Sequence, residues 1–244
     1  MKEQRVALVT GAGKRVGSTI IRTLHRNGMR VLIHYRSAKT DAERLCNELN
    51  AERKQSAAIF QADLANFDAR ALIKETIAIF DRLDLLVNNA STFYPTRLGE
   101  ISMENWHDLF SVNAQAPLFL AQAAMPYLQQ TQGNIINMID IHAQRPIKNM
   151  SVYCMAKAAS STMIKALARE LAPRIRVNGI APGMIMWPDE DDMPEKAKQS
   201  IIKRIALQRS GTPQHIADTI LFLVNNDYIT GEIITVDGGR LLTV

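Results

Sequence analysis

Short apolar runs alternate along this chain with longer segments in which apolar positions return every three or four residues. The runs fall at residues 6–9, 31–35, 57–61, 83–87, 134–138, 175–180 and 232–236, and they read as strands. Helical periodicity occupies 18–26, 40–51, 68–80, 103–130, 151–171 and 213–224. Runs apolar on both faces, each followed by a helix, predict the α/β class: a doubly wound parallel sheet of seven strands with helices on both faces. No Pro/Gly/Ser linker or repeat divides the pattern, so residues 1–244 are expected to form a single domain. One stretch breaks the alternation. Residues 184–199 are acidic, carry Pro188 and Pro194, and read as a mobile loop over a site.

Composition narrows the function classes. With 47% hydrophobic residues in 244, the chain can bury a sizeable core. Its net charge of +5 is spread among interleaved acids, with no basic run or aromatic-basic stripe, so a nucleic-acid partner is not expected. A phosphorylated small ligand suits the modest positive balance. Cys46 and Cys154 fit no metal pattern, no metal site is expected, and the thiols suit a reducing compartment. With no signal-peptide core and no apolar segment long enough to span a bilayer, a cytoplasmic protein without a membrane partner is expected.

In an open parallel sheet, ligands bind at the carboxyl ends of the strands, where helix N-termini present unpaired N–H groups. The first such turn is Thr10-Gly11-Ala12-Gly13-Lys14-Arg15-Val16-Gly17, small enough at Gly11 for a pyrophosphate to approach the backbone. A plain glycine-rich turn is the alternative. After the second strand stands His34-Tyr35-Arg36-Ser37, with no acid before Asp41. A carboxylate here would favour NAD, so its absence favours NADPH, with Arg36 and Ser37 on the 2′-phosphate and Lys14 or Arg15 as a second cation. A solvated loop arginine is the lesser alternative for Arg36. Asp63 and Leu64 follow the third strand, where they could meet the adenine, or Asp63 could cap a helix. The fourth strand ends in Asn88-Asn89-Ala90-Ser91-Thr92-Phe93-Tyr94-Pro95, a tight turn where ribose and nicotinamide would lie. One of Phe93 and Tyr94 offers a stacking surface for a flat heterocycle, and the other anchors the loop.

Tyr153 and Lys157 stand one helical turn apart on one face. An ammonium near a phenol favours phenolate and draws a group with a pKa of about 10 toward neutrality. The pair would serve as proton donor and acceptor beside a carbonyl or imine.

Together these residues resemble the short-chain dehydrogenase/reductases. The resemblance runs from Thr10-Gly11 through Asn88-Asn89-Ala90, Asn113, Tyr153 and Lys157, and Pro182-Gly183 to Asp237-Gly238-Gly239. It implies a Rossmann-like fold, Tyr153 as acid/base, Lys157 on the ribose, and Pro182 and Gly183 at the cofactor. Two departures stand out: the family's usual glycine is Arg15 here, and its serine, 13 positions before the tyrosine, is Asp140. Both changes, with the Phe93 turn, are similar to the pteridine and dihydromonapterin reductases. There the resemblance implies a pterin held between Phe93 and the nicotinamide, Arg15 near phosphates and substrate, and an Asp140/Tyr153 pair for proton delivery. Ser91 and Met184 complete the expected substrate set, Met184 by opening the loop toward which the pterin side chain would project.

The expected reaction is hydride transfer from NADPH to a C=N carbon of a dihydropterin, with dihydrofolate or folate as further substrates. A serine hydroxyl suits a ketone oxygen, whereas an aspartate can accept from an amino group or pass a proton to a ring nitrogen. A carbonyl reductase for acyl-thioester or sugar-like ketones and a non-catalytic NADPH-binding protein are the alternatives. Asn113 could be structural, and His142 and Cys154 read as bystanders. Relatives pack subunits through the helices at 103–130 and 151–171, so the resemblance implies a homotetramer.

Overall fold

A computed structural model describes residues 4–187 and 193–243. In chain order it runs β1 (Val6–Val9), α1 (Arg15–Arg26), β2 (Arg30–Tyr35), α2 (Lys39–Glu52), β3 (Ala57–Gln61), α3 (Ala69–Phe80) and β4 (Leu85–Asn88). It continues through α4 (Met103–Phe110), α5 (Ala116–Thr131), β5 (Asn134–Met138), α6 (Ser151–Leu171), β6 (Arg176–Pro182), α7 (Glu195–Lys203), α8 (Pro213–Asn225) and β7 (Ile233–Val236).

The seven strands form one sheet in the order β3-β2-β1-β4-β5-β6-β7, and every pairing is parallel. Alternate residues of each strand face opposite layers. Ala7 and Val9 of β1 pack with α1, α2 and α8, whereas Val6 and Leu8 pack with α3, α5 and α6. Both layers are fully dry at their centres, so the strands read as unbroken apolar runs. Successive strands are added to one side of β1 up to β3 and to the other side from β4 onward, and the candidate residues gather at the carboxyl ends around that switch point.

Two expectations change. The continuous helix over 103–130 is interrupted: Ser111–Gln115 is a π turn between α4 and α5. Pro117 explains the break, because it has no N–H for the carbonyl of Asn113 four residues earlier. That carbonyl accepts from Ser160 Oγ of α6 at 2.6 Å instead. The Asn113 amide meanwhile donates to Leu109 O at 2.9 Å and Thr92 O at 2.8 Å. The stretch 184–199 is not a loop throughout, since α7 begins at Glu195. Its residues 188–192 lie outside the described residues, as do 1–3 and 244. No helix among the described residues is long and apolar enough to cross a membrane.

Candidate active site

The glycine turn after β1 is held by its neighbours before any ligand arrives. Asn89 Nδ2 donates to Thr10 O at 2.8 Å and to Gly11 O at 3.0 Å, and Thr10 Oγ1 accepts from the N–H groups of Asn89 and Ala90. Gly11 has φ 60°, and a Cβ there would lie 2.9 Å from Ala90 Cα. At Gly17 a Cβ would lie 2.4 Å from Gly11 O and 2.7 Å from Ala12 Cα, so α1 could not enter so close to the turn with any other residue. This packing leaves a cavity of about 490 Å³ over the N-terminus of α1.

The cavity is lined by Gly11, Lys14, Arg15 and Val16 on the first turn, and by Tyr35, Arg36 and Ser37 after β2. Asp63 and Leu64 close it beyond β3; Asn89, Ala90 and Ser91 close it beyond β4. Its shape and lining suit a nicotinamide dinucleotide: close backbone at the pyrophosphate, a helix N-terminus, and a basic end. Arg36 is exposed, and no carboxylate among the described residues pairs with it. Lys14 Nζ lies 3.5 Å from Asp41, which also takes Arg44 at 2.6 Å. Asp63 lines the cavity and does not cap a helix: its Oδ1 accepts from Ala65 N at 3.0 Å in the turn, and the cap of α3 is Asp68.

Arg15 stands at φ 53°, a left-handed conformation that costs a non-glycine residue about 1 kcal/mol. Its guanidinium crosses to the far side of the molecule in sequence, where Nη2 donates to Trp187 O at 3.0 Å. Lys198 Nζ lies 5.6 Å from the centroid of the same Trp187 ring.

Beyond Ser91 lie Tyr153, Asp140 and Lys157. Tyr153 OH donates to Asp140 Oδ2 at 2.7 Å. Asp140 Oδ1 accepts from His142 N at 2.8 Å, capping the short turn Ile141–Ala143. Lys157, buried under α6, donates from Nζ to Met138 O at 2.9 Å. Ser91 Oγ donates to Asn113 Oδ1 at 2.7 Å, so the π turn reaches the segment that follows β4. Phe93 is 56% exposed and meets the Tyr153 ring edge-on, with centroids 4.8 Å apart and planes at 81°. Tyr94 instead packs beside Leu109, Val152 and Tyr153. Of the two aromatics, Tyr94 is the anchor and Phe93 the open face.

The electrostatics reverse one expectation. Lys157 does not draw the phenol down in this structure: Tyr153 is pushed far above its ordinary value, first by burial, then by the Asp140 charge and the hydrogen bond to it. The ammonium is 5.8 Å from the ring centroid and is itself pushed down to about 8 by burial, with Asp140 opposing the shift. In the Tyr153–Asp140 pair the proton therefore resides on the phenol, and the carboxylate accepts.

Phe93, Asp140, Tyr153 and Lys157 do not line the cavity itself, and Pro182, Gly183 and Met184 stand apart from both it and that cluster. Pro182 ends β6 beside Val236, and Gly183 N donates to Val236 O at 3.0 Å. Met184 lines a separate cavity of about 460 Å³ with Leu207 and Asp237. His34, not among the expected site residues, lines the dinucleotide cavity and bonds the glycine turn directly. Its position just before Tyr35-Arg36 was the available signal. Cys154 is buried and its thiol is pushed up by that burial, while His142 Nδ1 lies 2.9 Å from Arg145 O. No cluster of three or more His, Cys, Asp or Glu suited to a metal occurs among the described residues.

Residues 11–240 match the family model described as enoyl-(acyl carrier protein) reductase. Pteridine reductase 1 of Leishmania tarentolae is 38% identical over 98% of this chain and 96% of its own length. A 3-oxoacyl-(acyl-carrier-protein) reductase, FabG, of Staphylococcus aureus is 36% identical over 99% of this chain and all of its own. The corresponding reductase of Synechocystis is 35% identical over 98% of this chain and 97% of its own. With the parallel sheet, the glycine turn and the Tyr153/Lys157 pair in place, the chain belongs to the short-chain dehydrogenase/reductase family of oxidoreductases.

Proposed function

We propose that this protein is an NADPH-dependent pteridine reductase that converts a dihydropterin to the tetrahydro form, with dihydrofolate or folate as further substrates. The observation that carries the reading is the 2.7 Å bond from Tyr153 OH to Asp140, beside the open face of Phe93. NADPH, when bound, supplies the hydride that adds to the C=N carbon of the ring. Phe93 offers a flat apolar surface against which a pterin can stack. Each Asp140 oxygen has one lone pair engaged and a second able to accept an N–H from the pterin, a donor that a simple ketone lacks. The Tyr153 hydroxyl is the proton source nearest that carboxylate, and the proton it gives neutralises the ring nitrogen as the carbon is reduced. Lys157, on the buried face of α6, holds the ribose, and Arg36 with Ser37 meets the 2′-phosphate. Of the residues standing apart, Pro182 and Gly183 border the nicotinamide and Met184 borders the pterin side chain.

This reading includes a single reductase domain, a cytoplasmic enzyme and a homotetramer. The tetramer is supported by the exposed Leu118 and Phe119 on α5 and Met155 on α6. The second reading is a ketone reductase, favoured by the acyl-carrier-protein reductases among the relatives.

NADPH oxidation is measured in parallel with dihydrobiopterin, dihydromonapterin, dihydrofolate and an acyl-thioester ketone. Turnover of a dihydropterin that Tyr153→Phe abolishes is expected, with NADPH binding kept. Turnover of the ketone alone overturns the pterin reading.

A further inference from the structure

We infer that His34 is a positioning residue of the dinucleotide site, a neutral imidazole carrying its proton on Nε2 that ties the glycine turn to the end of β3. This rests on the reading of the 490 Å³ cavity as the NADPH site.

The partners themselves dictate the tautomer. Gly11 N is a donor with nothing to accept, and it lies 3.0 Å from His34 Nδ1, so Nδ1 carries the lone pair. Ala62 O is an acceptor with nothing to donate, and it lies 3.1 Å from Nε2, so Nε2 carries the proton. The backbone repeats the clasp, since Ala12 N donates to His34 O at 2.7 Å and Ala62 N to Tyr35 O at 3.2 Å. The ring is buried and tilted against Phe60 with centroids 6.4 Å apart. Burial pushes the imidazole down to about 4, against the raising effects of the Ala62 bond and Asp63.

The consequence for the cofactor is a division of labour among N–H groups. His34 consumes that of Gly11, and His34 O consumes that of Ala12. The N–H groups of Gly13, Lys14, Val16 and Gly17 have no backbone acceptor among the described residues, and these are left for phosphate oxygens. Gly11, at φ 60°, is the pivot of the turn. Without an acceptor on His34 its N–H would be a buried orphan, and the turn could rotate that N–H toward the phosphates and lose its present aim. The Ala62 bond sets the other wall, because Asp63 and Leu64 follow directly.

Side-chain shape separates the two bonds. His34→Asn places an amide oxygen near the Nδ1 position and keeps an acceptor for Gly11; His34→Gln places its amide nitrogen near the Nε2 position and keeps only the donor to Ala62. NADPH and NADH dissociation constants are measured by nucleotide fluorescence, alongside the melting temperature of the cofactor-free protein. His34→Gln is expected to weaken NADPH binding on the order of tenfold, the size of one lost hydrogen bond. His34→Asn is expected to stay within about threefold of wild type even where its melting temperature falls as far. Equal loss of affinity in both variants, or none in His34→Gln, overturns the inference. Nitrogen NMR of the wild-type imidazole is expected to show a protonated Nε2, and a protonated Nδ1 overturns the inference whether or not the variants fold. A wild-type protein that prefers NADH overturns the 2′-phosphate reading separately, and the Gln/Asn contrast is then read with NADH.

Discussion

The hydroxyl of Tyr153, on α6, donates to Asp140 Oδ2, at the end of β5, across 2.7 Å. A serine at position 140 would offer a neutral hydroxyl. Burial and then the carboxylate hold the phenol protonated, and the carboxylate adds acceptors suited to the N–H edge of a nitrogen heterocycle. Asp140→Asn keeps the volume and an acceptor for His142 N but removes the charge. Dihydropterin kcat should fall about 100-fold, the usual scale of a displaced acid/base group, with the NADPH dissociation constant within about twofold of wild type. Steady-state kinetics and nucleotide binding check this, and an Asp140→Asn enzyme with wild-type kcat would remove the charge from the mechanism.

Phe93 should matter to the substrate far more than to the fold. It is 56% exposed, and what it gives the folded state is its edge contact with Tyr153. Phe93→Ala should cost about 1 kcal/mol of stability, the worth of one aromatic pair. The same change should raise the dihydropterin KM about tenfold or more, because a base-sized ring loses its stacking surface. Denaturant unfolding and kinetics report the two effects independently, and an unchanged KM would place the pterin elsewhere.

Lys157 lowers stability at the position proposed for the ribose. Its folded pKa is pushed down to about 8 by burial, from 10.5, so the charged form is disfavoured on folding. The lysine's contribution is therefore full above pH 10.5, declines as pH falls, and is lost on passing through about 8. At pH 7, Lys157→Met should be more stable than wild type by about 2 kcal/mol, after allowing for the Met138 carbonyl left without its donor. It should also be inactive. Chemical denaturation at pH 7 and pH 10 tests the sign: the gap should narrow at the higher pH.

His34 should leave a signature on acid stability. Its ordinary value of 6.5 is pushed down to about 4 by burial, with Asp63 the charged neighbour opposing the shift. The unfolded chain thus takes up the proton first, and the stability contribution is present above pH 6.5 and lost as pH falls through about 4. The full loss is about 3 kcal/mol. His34→Asn should show a flatter stability curve between those limits in denaturant unfolding series, and an unaltered slope would assign the acid sensitivity to other groups.

The sequence by itself determined the local framework. Alternating apolar runs and helical stretches located all seven strands, because strand and helix periods are properties of neighbouring positions. The glycine turn was legible for the same reason: Gly11 and Gly13 sit between a strand and a helix and Gly17 in the first turns of that helix, although Gly11 and Gly13 make their close approaches to Ala90 and Ala38 of other segments. The four-residue step from Tyr153 to Lys157 likewise put both on one face of α6.

Other features depend on which distant segments meet, and only the tertiary structure decided them. The strand order is not written in the period of any strand. His34 became a site residue because β2 lies between β1 and β3, which brings Gly11 and Ala62 to either side of its ring. Pro117 was visible in the sequence, but the π turn exists because Ser160 of another helix takes the carbonyl that Pro117 cannot. Phe93 and Tyr94 are adjacent and alike in composition, and only packing against Leu109 and Val152 separates the open ring from the anchor. The charge relation at Tyr153 was decided the same way. Spacing placed the lysine near the phenol, but a pKa follows burial and contact, and here burial and Asp140 outweigh a lysine whose ammonium is turned toward Met138.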